Sequence, residues 1–210
     1  MGTSTDDQPL ADASALAGLR DSLRRQQGRV AEWSEGVPRA AVVLILRPGR
    51  AGLEILLIKR AERDGDPWSG HVALPGGRED PADQSLEETA LRETREEIGL
   101  DLAHAGEVIG TLDDLEPRST PRSILVRPFV AVLHDDPPLA LSDEVAAAFW
   151  VPLAELTSPG AIAESTVRVG GADRRVTSFL HGDYIVWGMT ERILRQLLAV
   201  LSGQGLGIRG

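Results

Sequence analysis

"LPGGREDPADQSLEETALRETREEIGL", residues 74–100, packs eight acidic side chains into the nineteen positions from Glu79 to Glu97, and only Arg92 and Arg95 offset them. Ser85-Leu86-Glu87-Glu88 is a capping box, so a helix starts there. Gly99 suits the left-handed position that ends it. At about 100° per residue, Glu93, Glu96 and Glu97 share one arc of about 100°, while Leu91, Thr94 and Ile98 cluster on another that can face a core. Two readings account for the acidic stripe. It is a solvated helix face, since glutamate is a good helix former. Or it is a set of oxygen ligands for Mg²⁺ or Mn²⁺, hard cations that prefer carboxylates and engage substrate phosphates. Pro75-Gly76-Gly77, read as a glycine turn closing a short strand, favours the second, because glycine lets a backbone carbonyl approach a metal.

Outward from this helix the chain alternates strand and helix signals. "RAAVVLILRP" (39–48) is a near-continuous, β-branched apolar run and reads as a buried strand. "LEILLIKR" (53–60) follows it after the turn "PGRAG", and "HVALPGG" (71–77) is a short strand. Strands are expected at 106–115 and 124–135, flanking the Pro-rich loop "EPRSTPRS". "EVAAAFWVPLAEL" reads as a strand running into a short helix, and "TVRVGGADRRVTSF" as a hairpin turning near Gly170-Gly171. The run at 188–201 is amphipathic, with Ile193, Leu194, Leu197, Leu198 and Leu201 on one side. Near the N-terminus, apolar residues at 10, 15, 16, 19 and 23 suggest one helix after a disordered start, and "SEGVP" (34–38) reads as a linker. The order predicts an α+β fold or a three-layer sandwich. Its expected parts are an N-terminal extension (1–36), one domain (37–202) and a tail (203–210).

Composition narrows the function. A net charge of −10 and no basic stripe argue against a general nucleic-acid partner. With no cysteine there are no disulfides, thiolate metal sites or cysteine nucleophiles. The polar N-terminus does not read as a signal peptide, and no apolar run approaches the ~20 residues of a membrane helix. The expectation is a cytoplasmic protein, monomer or homodimer, with a small-molecule partner and no membrane partner.

Gly77, Arg92, Glu93, Thr94, Arg95, Glu96, Glu97, Ile98, Gly99 and Leu100 together resemble the Nudix box of the Nudix hydrolases: glycine, five residues, glutamate, seven residues, then R-E-U-x-E-E-x-G-U with U aliphatic. The chain departs from it in three places. Thr94 replaces an aliphatic residue, Gln84 stands where the first glutamate belongs, and the loop after Gly77 is one residue longer, which hands that glutamate's work of bracing the arginine to Asp83. The resemblance implies a Nudix α/β/α sandwich with a mixed sheet, and metal-dependent hydrolysis of a nucleoside diphosphate linked to another group. It implies Glu93, Glu96 and Glu97 as metal ligands with the Gly76 or Gly77 carbonyl assisting, and Arg92 as an orienting residue. A further acid from outside the box often serves as ligand or base; Glu144 leads the candidates, ahead of Asp143 and Glu79.

Upstream, Leu56-Leu57-Ile58-Lys59-Arg60 and Gly70-His71-Val72-Ala73-Leu74-Pro75-Gly76-Gly77 are similar to the added signature of the family's coenzyme A diphosphatases, as is the C-terminal "IVWGMTERILRQLL". The subgroup's Thr and Ser are Ile58 and Ala61 here, Leu74 replaces its Phe, and "RDGDPW" alters its spacing. The implied reaction splits coenzyme A into 4′-phosphopantetheine and 3′,5′-ADP. Arg60 is the candidate phosphate ligand, since guanidinium binds phosphate bidentately. Arg118 and Arg122 lie in a loop able to close over an anion. Trp68 packs its loop or stacks on a base, and His71 starts a strand. Other Nudix substrates remain open: ADP-ribose, NADH, a dinucleoside polyphosphate or a deoxynucleoside triphosphate. So does a Nudix-fold sensor that binds nucleotide without cleaving it, although the intact box glutamates favour an enzyme.

Overall fold

The computed structural model describes residues 8–26, 28–32, 36–66, 68–116 and 124–203. Among them, β1 (Arg39–Gly49) is the centre of a seven-stranded mixed sheet. Its parallel partner is β6 (Leu125–Leu133), in register from Arg39↔Leu125 to Leu46↔Val132. On its other side β1 changes partner along its length. Leu46–Gly49 pair with β2 (Gly52–Arg60), and Ala40–Val42 pair with β4 (Gly76–Arg78). The short β3 (Val72–Ala73) and β7 (Val145–Pro152) both pair with β2, and β5 (Gly106–Thr111) pairs with β6, all antiparallel.

One expectation changes here. Gly76-Gly77 do not form a turn closing a strand; they open β4, after a break at Leu74-Pro75. The Pro75 carbonyl accepts the Val43 N–H at 2.8 Å, carrying the chain across to β1. At Gly76, φ is +141°, and a Cβ would lie 2.2 Å from the Ala41 carbonyl oxygen. Only glycine brings the backbone that close at that dihedral.

β1 and β2 are apolar on both faces because both faces are covered. Ala41, Val43, Ile45, Leu56 and Ile58 pack with Leu86, Ala90 and Ile98 of α2 (Leu86–Ile98) and with Leu102 of the short α3 (Leu102–Ala105). Leu44, Leu46, Ile55 and Leu57 pack on the opposite face with Ile193, Leu194 and Leu197 of α5 (Gly188–Leu201). α1 (Gln8–Gln26) joins this second layer, burying Leu19 and Leu23 against the same cluster. Behind it the chain is tied to the β5–β6 connection: Arg29 N–H donates to Asp113 Oδ1 at 2.7 Å and Ala31 N–H to Asp114 Oδ2 at 3.0 Å. The result is the expected α/β/α sandwich.

A three-stranded antiparallel sheet of β8 (Ile162–Val169), β9 (Ala172–His181) and β10 (Tyr184–Trp187) follows α4 (Leu153–Thr157). Gly170-Gly171 turn the β8–β9 hairpin as expected. β10 and α3 were not anticipated, yet "HGDYIVW" holds a Gly-Asp turn before β-formers, which is a hairpin signal. Among the described residues, no helix is long and apolar enough to cross a membrane.

Candidate active site

α2 is capped at both ends as its sequence requires. Ser85 accepts the Glu88 N–H at 3.1 Å, and Gly99, with φ 68°, donates to the Arg95 carbonyl. The return arm of the capping box lands one residue early, with Glu88 accepting the Gln84 N–H at 2.6 Å. Thr94, the polar departure on the buried stripe, is fully buried and donates to the Ala90 carbonyl at 2.7 Å, so its hydroxyl is satisfied within the helix.

With α2 laid across β1 and β4, its acidic stripe meets the glycines. The Gly76 N–H donates to Glu97 Oε2 at 2.9 Å, and a Cβ on Gly77 would lie 2.5–2.6 Å from the Glu93 carboxyl group. Glu97 is 5% exposed. Burial pushes its carboxyl up to about 7; the Gly76 N–H and Arg60 favour ionisation, while Glu93 and Glu144 oppose it. Burial also raises Glu93, against the pull of Arg92, with Glu96 and Glu144 raising it further. Glu96 is largely exposed.

Arg92 organises the stripe. It forms two parallel bonds with Asp83, Nε to Oδ1 at 3.0 Å and Nη2 to Oδ2 at 2.9 Å. Its Nη1 reaches Glu93 Oε1 at 2.9 Å and Glu96 Oε2 at 3.1 Å. Asp83 also accepts from Thr89 Oγ1 and the Asp80 N–H, and its side chain is 4% exposed. These donors, Arg92 foremost, hold its carboxyl far below the usual range.

The β6–β7 connection docks on the end of α2, where Ser142 N–H donates to the Glu97 carbonyl at 2.9 Å. This brings Glu144 to the cluster; its Oε1 accepts from Arg63 Nη1 at 3.0 Å, and its carbonyl accepts the Ala61 N–H at 2.8 Å. Glu79 is paired with Arg39, and Asp143, like Glu144, is exposed.

A NUDIX domain match covers residues 36–169, more than half of the chain. The chain belongs to the Nudix family. An uncharacterized Nudix hydrolase NudL of Cronobacter sakazakii is 38% identical over 160 residues, covering 76% of this chain and 81% of the relative. The Yersinia pestis NudL is 34% identical over 165 residues, covering 78% and 80%. In fold the chain is similar to a MutT/nudix family protein from Enterococcus faecalis, at TM-score 0.55 and 21% identity, covering 96% of this chain and 76% of that one. It is also similar to a NUDIX hydrolase from Alicyclobacillus acidocaldarius, at TM-score 0.51 and 21% identity, covering 81% and 98%.

The family's divalent cation can be tested against the residues of this Nudix chain. Among the described residues, no three carboxylates are grouped to hold a metal ion; Arg92 Nη1 is bonded to both Glu93 and Glu96. The donor set nevertheless suits a hard cation. Glu97 is a buried carboxyl with no ion-pair partner among the described residues, and Glu93 is a half-buried one that shares a single arginine with Glu96, beside backbone that carries no Cβ.

Arg60 ends β2, and its Nη2 donates to Asp66 Oδ2 at 3.0 Å. Its Nε is buried without an acceptor. His71 accepts the Arg60 N–H through its carbonyl at 3.0 Å. Its ring packs edge-on against Trp68 and Trp187, at centroid distances of 6.0 and 5.0 Å, and burial lowers its pKa. Arg118 and Arg122 lie outside the described residues. Sequence reasoning passed over Asp66 and Arg63, whose only signal was their place in the charged loop after β2.

Proposed function

We propose that this Nudix pyrophosphohydrolase acts on coenzyme A, adding water across the diphosphate to yield 4′-phosphopantetheine and 3′,5′-ADP, with Mg²⁺ or Mn²⁺ as cofactor. Nudix hydrolases act on nucleotide pyrophosphates; the choice of coenzyme A rests on one observation. The two halves of the upstream signature, separated by nine residues, lie side by side as β2 and β3, with Ile58↔Ala73 and Lys59↔Val72 in register. The Arg60 N–H donates to the His71 carbonyl at the end of that pair, which supports a single recognition element next to the acidic helix.

In this reading Glu93, Glu96, Glu97 and the Gly77 carbonyl hold the cation. When bound, it polarises phosphoryl oxygens and lowers the pKa of a water. Arg92, itself fixed by Asp83, orients Glu93 and Glu96. Glu144 accepts the proton shed by the attacking water. Arg60 binds a substrate phosphate, where a guanidinium offers charge and paired donors. The domain spans 37–202, and the described part of the N-terminal extension braces its α5 layer.

The test is a product assay with the purified protein and Mg²⁺ or Mn²⁺ across coenzyme A, ADP-ribose, NADH, diadenosine polyphosphates and deoxynucleoside triphosphates. Release of 3′,5′-ADP and 4′-phosphopantetheine, with coenzyme A preferred, is the expected result. Preference for another member of the series overturns the substrate, and binding without cleavage overturns the enzyme in favour of a sensor.

A further inference from the structure

The loop after β2 (residues 61–71) is knit together by its own polar groups. Asp66 N–H donates to the Arg63 carbonyl at 3.3 Å, Ser69 N–H to the Asp66 carbonyl at 3.1 Å, and Arg63 N–H to Ser69 Oγ at 2.7 Å. Asp66 is the hub. Its Oδ1 accepts the Trp68 N–H at 2.9 Å while its Oδ2 accepts Arg60 Nη2 at 3.0 Å. One carboxylate thus fastens the end of β2 to the turn that carries Trp68, and Trp68 packs on His71 and Trp187.

Arg60 stands at the border between this loop and the acidic end of α2. It lies opposite Val145, which packs in the core layer of α2. The next residue, Ala61, donates to the Glu144 carbonyl. An anionic substrate entering here meets Glu93, Glu96, Glu97 and Glu144, so the placement of the nearby cation decides how its phosphates are received. Arg92 cannot serve, being committed to Asp83, Glu93 and Glu96. Arg60 commits one nitrogen to Asp66, and its Nε is left without an acceptor. A long arginine side chain loses rotamer freedom when it binds, and a carboxylate that holds it beforehand removes that cost.

We propose that Asp66 is a positioning residue that presets the Arg60 guanidinium for a substrate phosphate. The proposal rests on the reading of Arg60 as a phosphate ligand. Asp66 touches neither the substrate nor the reacting atoms; it acts through Arg60.

Asp66→Asn separates this role from loop folding, because asparagine keeps an oxygen for the Trp68 N–H but loses the ionic bond to Arg60. Steady-state kinetics would be run on the full chain with Mg²⁺ and its best substrate, for wild type, Asp66→Asn, Arg60→Ala and the double variant. Asp66→Asn is expected to raise KM about tenfold with kcat changed less than about twofold. The double variant is expected to match Arg60→Ala, since the two residues form one unit. An unchanged KM in Asp66→Asn, or an effect that persists undiminished without Arg60, overturns the proposal. If Asp66→Asn does not fold, Asp66→Ser, which also keeps a short acceptor for Trp68, enters the same cycle. Should wild type cleave no pyrophosphate, the functional reading falls separately, and ADP affinity by calorimetry replaces KM. A tenfold weakening that vanishes in the Arg60→Ala background then supports the positioning role, and no weakening overturns it.

Discussion

Arg92 and Asp83 meet through two parallel hydrogen bonds, at 3.0 and 2.9 Å, across a loop that is one residue longer than the Nudix pattern allows. The pattern's glutamate position holds Gln84 instead, whose backbone N–H binds Glu88. Asp83→Ala is expected to destabilise the fold by roughly 2–4 kcal/mol, because it removes two charge-assisted bonds and leaves the Nε of a partly buried guanidinium without its acceptor. It should also lower kcat by freeing Arg92 to pull on Glu93 and Glu96. Gln84→Glu should change stability by less than about 0.5 kcal/mol, the brace being already in place. Urea unfolding and steady-state rates on both variants check this, and equal effects would contradict the assignment.

Asp83 and Glu97 bend the stability profile in opposite directions. The folded value of Asp83 lies far below its unfolded one, so its contribution is present above the ordinary carboxylate range and is lost progressively as pH falls from that range towards the much lower folded value. Asp83→Asn should flatten the acid limb of a melting-temperature profile.

For Glu97 the folded value, about 7, lies above the unfolded one. The associated stability is therefore full below the ordinary carboxylate value and is lost as pH rises through about 7. Metal-free Glu97→Gln should be more stable than wild type at pH 8, by roughly 2–3 kcal/mol at most, with the gap closing by about pH 5.

Turnover should move the other way. Glu97→Gln and Glu96→Gln are each expected to keep the fold and lower kcat by a factor on the order of 100 or more, through lost metal binding. An unaffected rate in either would remove that residue from the mechanism. Chelation should abolish activity in wild type, and restored Mg²⁺ should raise its melting temperature more at pH 8 than at pH 6, since binding must displace the Glu97 proton at the lower pH.

The two glycines of β4 should fail differently. Gly76→Ala drives a methyl group into the Ala41 carbonyl at an unfavourable dihedral, and on the order of 3 kcal/mol of stability is expected to be lost. Gly77→Ala meets the Glu93 side chain, which can turn away, so the fold should persist while activity falls. Comparing melting temperature and rate for the two separates backbone packing from site geometry.

Much of the chain was legible because its signals are local. Capping at Ser85 and Gly99, the two apolar runs of β1 and β2, and the amphipathic pattern of α5 each involve neighbours a few residues apart, and the structure follows them. The acidic stripe was legible for the same reason, since helical geometry alone places Glu93, Glu96 and Glu97 on one face. The resemblance of that stretch to the Nudix box, with a bracing role for Asp83, needed no coordinates either.

Tertiary structure decided what no local pattern encodes. Gly76-Gly77 read as a turn, yet β1 pairs with β2 only from Leu46 onward and leaves hydrogen-bonding groups at Ala40–Val42 that β4 must satisfy, so the glycines became strand. Burial set the chemistry of Glu97: the same side chain on an isolated helix would be an ordinary carboxylate, and only its desolvation in the packed fold raises it to about 7, against the hydrogen bond from the Gly76 N–H. The approach of Arg60 and Glu144 to Glu97 joins residues 37 and 47 positions away from it along the chain. Spacing carries information along one element, whereas charge, solvation and reach depend on which elements the core brings together.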